Sequence, residues 1–326
     1  MFLAFLKLIR WKNLLIIAFT QIAVHYFLVR GMVSTHMGLG MSLQLRKFDF
    51  SLLVFSTLLI AAAGYIINDY FDVRIDNINK PDVTVIDKDV SRRTAIGAHA
   101  FLSGLGVAIG IFVSWRCNIL MAGGTLFAVS VIALWYYSVA FKSQFLIGNV
   151  IISLLTGMVA FMVPLFDLPP VIAYFNNTLA QQKADFGTTS VSTVLLWSGC
   201  YAMAAFGLSM IREIIKDMED VEGDKEYGCK TIPIVLGIQK SKFIVSTLIL
   251  IFMTGIGYVM YHQYTSRDML SFYYFLALVE LPLVFVFFKT IYATNKKDFH
   301  TSGTIIKLTM LTGICFLFLL KYLLSK

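Results

Sequence analysis

Charge is scarce in this chain. Only 14% of its 326 residues are Asp, Glu, Lys or Arg, against about 25% in soluble domains. That deficit argues against a water-soluble globule with a separate soluble module. Cysteine and histidine are few too, at four and five. Cys117, Cys200, Cys229 and Cys315 lie far apart with no CxxC spacing, which excludes a disulfide framework and a zinc site and leaves them to act as small buried hydrophobes. The histidines are scattered, without HExxH or a paired ligand spacing. A small-residue cleavage site is also missing from the opening MFLAFLKLIRWKN. That segment reads as a retained, interfacial lead-in to a first helix, with Trp11 suited to the membrane boundary.

Apolar residues fill the space instead, at 58% of the chain. They fall into runs of roughly 17–25 residues, the length a helix needs to cross a hydrocarbon core of about 30 Å. About nine such runs are predicted, at 14–30, 50–67, 95–115, 119–140, 147–166, 194–214, 243–262, 270–291 and 303–324. Hydrophilic stretches at 68–94, 167–193 and 215–242 separate some of them. The expectation is an all-α polytopic membrane protein forming one domain over residues 1–326.

Lys and Arg orient it. The N-terminus and the connections after segments 2, 4, 6 and 8 hold 19 of the 27, and the opposite side holds 8, among them Arg46, Lys47 and Arg116. By the positive-inside rule the richer side is cytoplasmic. The net charge of +8 is then mostly a topology signal. It does not indicate nucleic acid, because the basic residues flank spans and form no basic domain.

The acidic residues are concentrated. After segment 2 comes Asn68-Asp69-Tyr-Phe-Asp72-Val-Arg74-Ile-Asp76, and after segment 6 comes Lys216-Asp217-Met-Glu-Asp220-Val-Glu-Gly-Asp224. Both contain D-x-x-D-x-x-x-D, and together they use six of the 14 Asp residues. Positions i, i+3 and i+7 share a helical face, so each trio is expected as a stripe of carboxylates at a cytoplasmic helix end. Like charges on one face repel unless a cation binds between them. Mg²⁺ is held by a few carboxylates together with waters and substrate phosphates. Two facing stripes (Asp69, Asp72, Asp76 with Asp217, Asp220, Asp224, beside Asn68) would therefore accept a metal-bridged diphosphate. Cations to balance it are expected on the same side: Lys142 after the end of segment 4, Arg212 and Lys216 just before the second stripe, Arg74 inside the first, and Lys80 and Arg92/Arg93 in the loop beyond it.

On these residues the chain looks like a UbiA-superfamily intramembrane prenyltransferase. It shows Asn68-Asp69-x-x-Asp72-x-x-x-Asp76 and Asp217-x-x-Asp220-x-x-x-Asp224. Arg10-Trp11-Lys12-Asn13 resembles the family's opening Arg-x-x-Asn, and Asn79-Lys80-Pro81 resembles its Asn-Arg/Lys-Pro. Tyr137, Lys142 and Gly148-Asn149 resemble the helix 4–5 segment, and Gly223-Asp224 through Thr231-Ile232-Pro233 resembles Gly-Asp…Thr-Leu-Pro. IDNINKP and KDMEDVEGDKEYG most resemble the geranylgeranylglycerol-phosphate geranylgeranyltransferase-like branch, although Val83-Thr84-Val85 departs from that branch's Arg-Pro-Ile.

The resemblance implies a bundle around a central cavity in an inner membrane of bacterial or archaeal type. The Asp motifs would cap the cavity and hold Mg²⁺ and a prenyl diphosphate. Lys142 and Arg212 would neutralise the leaving group, and Asn13 and Tyr137 would contact substrate. It implies Mg²⁺-dependent transfer to a membrane-soluble, lipid-type acceptor. An aromatic quinone-precursor acceptor is the alternative. A cation-coupled transporter would place its carboxylates near the bilayer midplane, and a scaffold would not bind prenyl diphosphate.

Overall fold

The computed structural model describes residues 2–36, 43–79, 84–178 and 188–324. Within them nine helices are long and apolar enough to cross a membrane, and each overlaps one of the predicted runs. Among the described residues the only extended pairing is an isolated bridge between Ile86 and Val90. All-helical architecture follows from the solvent, because backbone N–H and C=O groups in hydrocarbon must pair within their own segment. The chain divides into two units.

The first unit comprises residues 1–139, 158–202 and 320–326. A short helix, α1 (Phe2–Leu8), lies ahead of the first span and is separated from it by Arg10, whose backbone is left-handed at φ 49°. The span itself is α2 (Trp11–Ala23), a π-helical turn (Val24–Val29) and α3 (Arg30–His36). Next come α4 (Lys47–Asn79), α5 (Arg92–Arg116) and α6 (Leu120–Val139). α4 packs along α5, and α5 along α6.

Glycines set that close approach. A Cβ on Gly106 would come within 2.7 Å of Ile60 Cγ1, and one on Gly110 would overlap the Phe127 ring. Ser56 Oγ reaches across to donate 2.7 Å to the Gly106 carbonyl. The extent of α4 matters most for function. Its 33 residues measure roughly 50 Å, against a hydrocarbon core of about 30 Å. Its last turns, which carry the acidic motif, therefore project past the apolar slab.

The second half of α7 (Ile147–Thr178) and the start of α8 (Thr188–Glu219) also belong to this unit. The stretch from 167 is thus helical up to Thr178, and Asp167 is fully buried instead of lying in a hydrophilic connection. His25 Nδ1 sits 2.8 and 3.0 Å from the two Asp167 carboxylate oxygens, and its ring stacks on Phe50 at 3.8 Å. One scattered histidine thus has a buried partner that spacing did not reveal.

The second unit comprises residues 140–157 and 203–319. It holds the start of α7, the rest of α8, then α9 (Val221–Glu226), α10 (Ile232–Leu236), α11 (Ile238–Thr265) and α12 (Met269–Phe275). A π-helical turn (Leu276–Glu280), α13 (Leu281–Ile291) and α14 (Lys296–Leu324) complete it. Ile211, Ile214, Ile215 and Met218 recur along one face of α8 and pack with Val245 and Ile249, Leu283 and Val286, and Ile306. Burying that face turns the polar residues of the last two turns of α8 away from the core.

None of the four cysteines is in a disulfide. Cys117 and Cys229 are buried as expected, Cys315 is partly so, and Cys200 is exposed, which corrects the expectation for that residue. Burial, together with the nearby carboxylates of Asp49 and Asp167, pushes the Cys117 thiol up to about 12, so it stays protonated and unreactive.

Candidate active site

In the first unit the site is built on the projecting end of α4. Asn68, Asp69, Asp72 and Asp76 are all partly buried there, whereas Phe71 and Arg74 are exposed. At 100° per residue the three aspartates fall within roughly 60° of one another. Arg74 lies roughly on the opposite side, so the geometry does not bring it to the carboxylates it was expected to balance.

Arg10 takes that place. Its Nη2 donates to Asp69 Oδ1 at 2.7 Å, and its guanidinium lies 5.2 Å from the centre of the Tyr65 ring. Burial alone would disfavour the Arg10 charge, but Asp69, with smaller contributions from Tyr65 and Asp76, holds its pKa above the ordinary arginine value. Arg10 is therefore a fixed cation facing the acidic stripe. Its left-handed backbone is unusual for a residue other than glycine, and it bends the chain so that the side chain points at α4. Of the opening Arg-x-x-Asn, Asn13 had been expected to contact substrate. Asn13 is partly buried one turn on, its backbone N–H bonded to the Arg10 carbonyl at 2.8 Å. Tyr137 is partly buried near the end of α6. Lys80 lies outside the described residues.

In the second unit the acidic trio does not form one straight stripe. Asp217 lies in the last turn of α8, Asp220 stands between helices at φ −98°, ψ 10°, and Asp224 is on α9. The bend has a local cause. Asp217, Glu219, Asp220, Glu222 and Asp224 crowd five carboxylates into eight residues, and like charges at helical spacing oppose a continuous helix. Asp is also a poor helix former. Backbone bonds from Asp220 to Lys216 and from Asp224 to Asp220 keep the segment together.

Asp217 is held from outside its helix. Asn149, on the first turn of α7, donates through Nδ2 to Asp217 Oδ2 at 2.8 Å. The preceding residue, Gly148, packs its backbone on the Phe141–Ser143 turn, where a Cβ would lie 2.8 Å from Lys142 Cα. Ser143 in turn accepts a 2.7 Å hydrogen bond from the Lys230 N–H. The Lys142 turn, Asn149 and the acidic segment are thus tied into one cluster. Arg212 is engaged differently from the expectation. Its Nη1 donates to Glu213 at 2.6 Å, and Glu213 is itself buried. Lys216 is partly buried beside Asp217.

Sequence reasoning had not singled out Asn149 or Glu213 as site residues. Asn149 was visible only as half of Gly148-Asn149, and Glu213 only as the residue four before Asp217. Among the described residues no three Asp, Glu, His or Cys side chains converge as a metal cage. Mg²⁺ needs only one or two carboxylates and completes its octahedron with waters and phosphate oxygens. The donors, carboxylate and amide oxygens, are of the hard type such an ion takes.

The chain is similar to several known proteins. Digeranylgeranylglyceryl phosphate synthase of Thermococcus gammatolerans is 29% identical over 273 residues, 80% of this chain and 82% of that one. A structure solved in work on digeranylgeranylglyceryl phosphate synthase in membranes superposes with a TM-score of 0.59 at 22% identity, covering 98% of this chain and 97% of that one. A UbiA homolog from Archaeoglobus fulgidus bound to DMAPP and Mg²⁺ gives a TM-score of 0.51 at 17% identity, covering 95% and 98%. At those identities the structural likeness is one of fold. Residues 29–311 match the UbiA prenyltransferase family, and the chain belongs to that family.

Proposed function

We propose that the chain, acting as one domain over residues 1–326, is a Mg²⁺-dependent intramembrane prenyltransferase. It moves a prenyl group from a prenyl diphosphate to a glycerophosphate-type lipid acceptor. The observation that carries this reading is that each acidic segment is held by a group from elsewhere in its own unit: Asp69 by Arg10 at 2.7 Å and Asp217 by Asn149 at 2.8 Å. Carboxylates oriented this way are prepared for a cation and a polyphosphate; solvated helix ends need no such partners.

Asn68, Asp69, Asp72 and Asp76, with Asp217, Asp220 and Asp224, would hold the ion and the diphosphate. When bound, Mg²⁺ supplies positive charge against the departing diphosphate. The chain's own contribution is to fix the carboxylates, to place the Lys142 and Lys216 ammonium groups where leaving-group charge grows, and to exclude water from the allylic carbon. The N-terminus and both acidic segments would face the cytoplasm, as the 19 to 8 split of Lys and Arg supports.

The acceptor is supported by the digeranylgeranylglyceryl phosphate synthase of Thermococcus gammatolerans, which aligns with most of this chain. The experiment is a competition. Purified protein receives labelled geranylgeranyl diphosphate, Mg²⁺, and equal amounts of geranylgeranylglyceryl phosphate and a hydroxybenzoic acid. Label should pass into a diether phospholipid resolved by mass spectrometry. Label found mainly in the prenylated aromatic acid would overturn the acceptor while retaining the reaction.

A further inference from the structure

At the other end of α4 from the acidic stripe, the first unit has a cleft of about 410 Å³. Asp49 and Asp69 are 20 residues apart on that helix, roughly 30 Å, which is the thickness of the hydrocarbon core. The cleft therefore lies at the opposite membrane boundary from Asp69. Gln44, Arg46 and Asp49 line one side of it, and Trp115, Arg116 and Asn118 line the other.

Its charge is organised. The buried Asp49 carboxylate accepts Arg116 Nε at 2.6 Å and Nη2 at 3.1 Å, a two-point pair that fixes the guanidinium plane. Arg116 keeps its Nη1 amino group beyond that pair. Arg46 is exposed on the facing wall and Lys47 follows it, also exposed. Two arginines against one aspartate leave the lining with a net positive charge, and Lys47 adds to it. These cations belong to the side that is poor in Lys and Arg, so the positive-inside rule does not account for them. Trp115, on the lining, is 61% exposed, and Phe112 lies beneath the Arg116 guanidinium at 5.9 Å.

We propose that this cleft is a binding site for the phosphate of an anionic phospholipid, with Arg46 and Arg116 gripping the headgroup and Trp115 lying along its acyl chains. Three features point to a lipid. The cations stand at span ends, where α4 begins and α5 stops, and so at headgroup depth. Their lining carries net positive charge, which favours a net-negative headgroup over a zwitterionic one. Trp115 offers an aromatic surface of the type that seats at the membrane interface. The site is independent of the prenyl-transfer reading.

The test uses full-length protein reconstituted in phosphatidylcholine vesicles, with rising fractions of phosphatidylglycerol brominated on its acyl chains. The fluorescence quench lost in Trp115→Phe isolates the signal from Trp115. That signal should fall and saturate with brominated phosphatidylglycerol, whereas brominated phosphatidylcholine should quench only in proportion to its amount. Arg46→Gln should raise the half-saturating fraction about fivefold while leaving prenyl transfer near wild type, which shows the variant to be folded. Equal quenching by the two lipids, or an unchanged titration in Arg46→Gln, would overturn the proposal. Relief of the quench by millimolar inorganic phosphate would also overturn it, by making the occupant a soluble anion.

Discussion

Asn149 is the residue that best separates a metal-holding Asp217 from an ordinary surface carboxylate. Its amide donates to Asp217 Oδ2 at 2.8 Å. Outer partners of metal-binding carboxylates typically change metal affinity or activity by about 10–100-fold when removed. Asn149→Leu should accordingly raise the Mg²⁺ concentration needed for half-maximal transfer by about that factor, measured by titrating Mg²⁺ at saturating substrates. An unchanged Mg²⁺ dependence would place the ion elsewhere.

At this scale the sequence was informative where chemistry contrasts with background. Six aspartates in two matched spacings stand out in a chain that is 14% charged. Arg10 and Asn149 were visible only inside segments that carry the resemblance, and their partners were not, because those are 59 and 68 residues away and only packing reveals the pairs. Arg74 was misjudged for the complementary reason: closeness in sequence was taken for closeness in space, and the helix turns it away.

Elements were legible in proportion to how much lipid they meet. All nine spanning helices match predicted apolar runs. Their polar extensions do not, because hydropathy reports contact with hydrocarbon and a helix continues as long as its hydrogen bonds do. That is why α4 runs on to Asn79 and α7 to Thr178, and why the bend at Asp220 and the π-helical turns at Val24–Val29 and Leu276–Glu280 went unread.

Helix contacts of this kind can be tested on α5, which carries two contrasting glycines. Gly104 is exposed with nothing near its missing Cβ, and Gly110 is buried against the Phe127 ring. Gly104→Ala should stabilise the helix by about 0.5–1 kcal/mol through the lower entropy of the unfolded chain. Gly110→Ala should destabilise by about 1–3 kcal/mol through overpacking. Thermal unfolding of the two variants in detergent should move in opposite directions. A rise in both would mean that α5 and α6 do not pack as tightly as described.

For the whole molecule, the proposed function requires the two acidic segments, one in each unit, to serve a single reaction. Each segment has its own supporting arrangement, Arg10 in one case and Asn149 with the Lys142 turn in the other, so loss of either should be enough to stop transfer. The most direct measurement is turnover of labelled geranylgeranyl diphosphate at saturating Mg²⁺ by Asp72→Asn and Asp217→Asn. Both replacements keep the side-chain shape and remove the charge, and circular dichroism and size exclusion check that each variant is folded. Each should lose at least about 100-fold in rate, the usual scale for removing one preorganised electrostatic group. Near-normal turnover by either folded variant would contradict the claim that both segments act on one diphosphate.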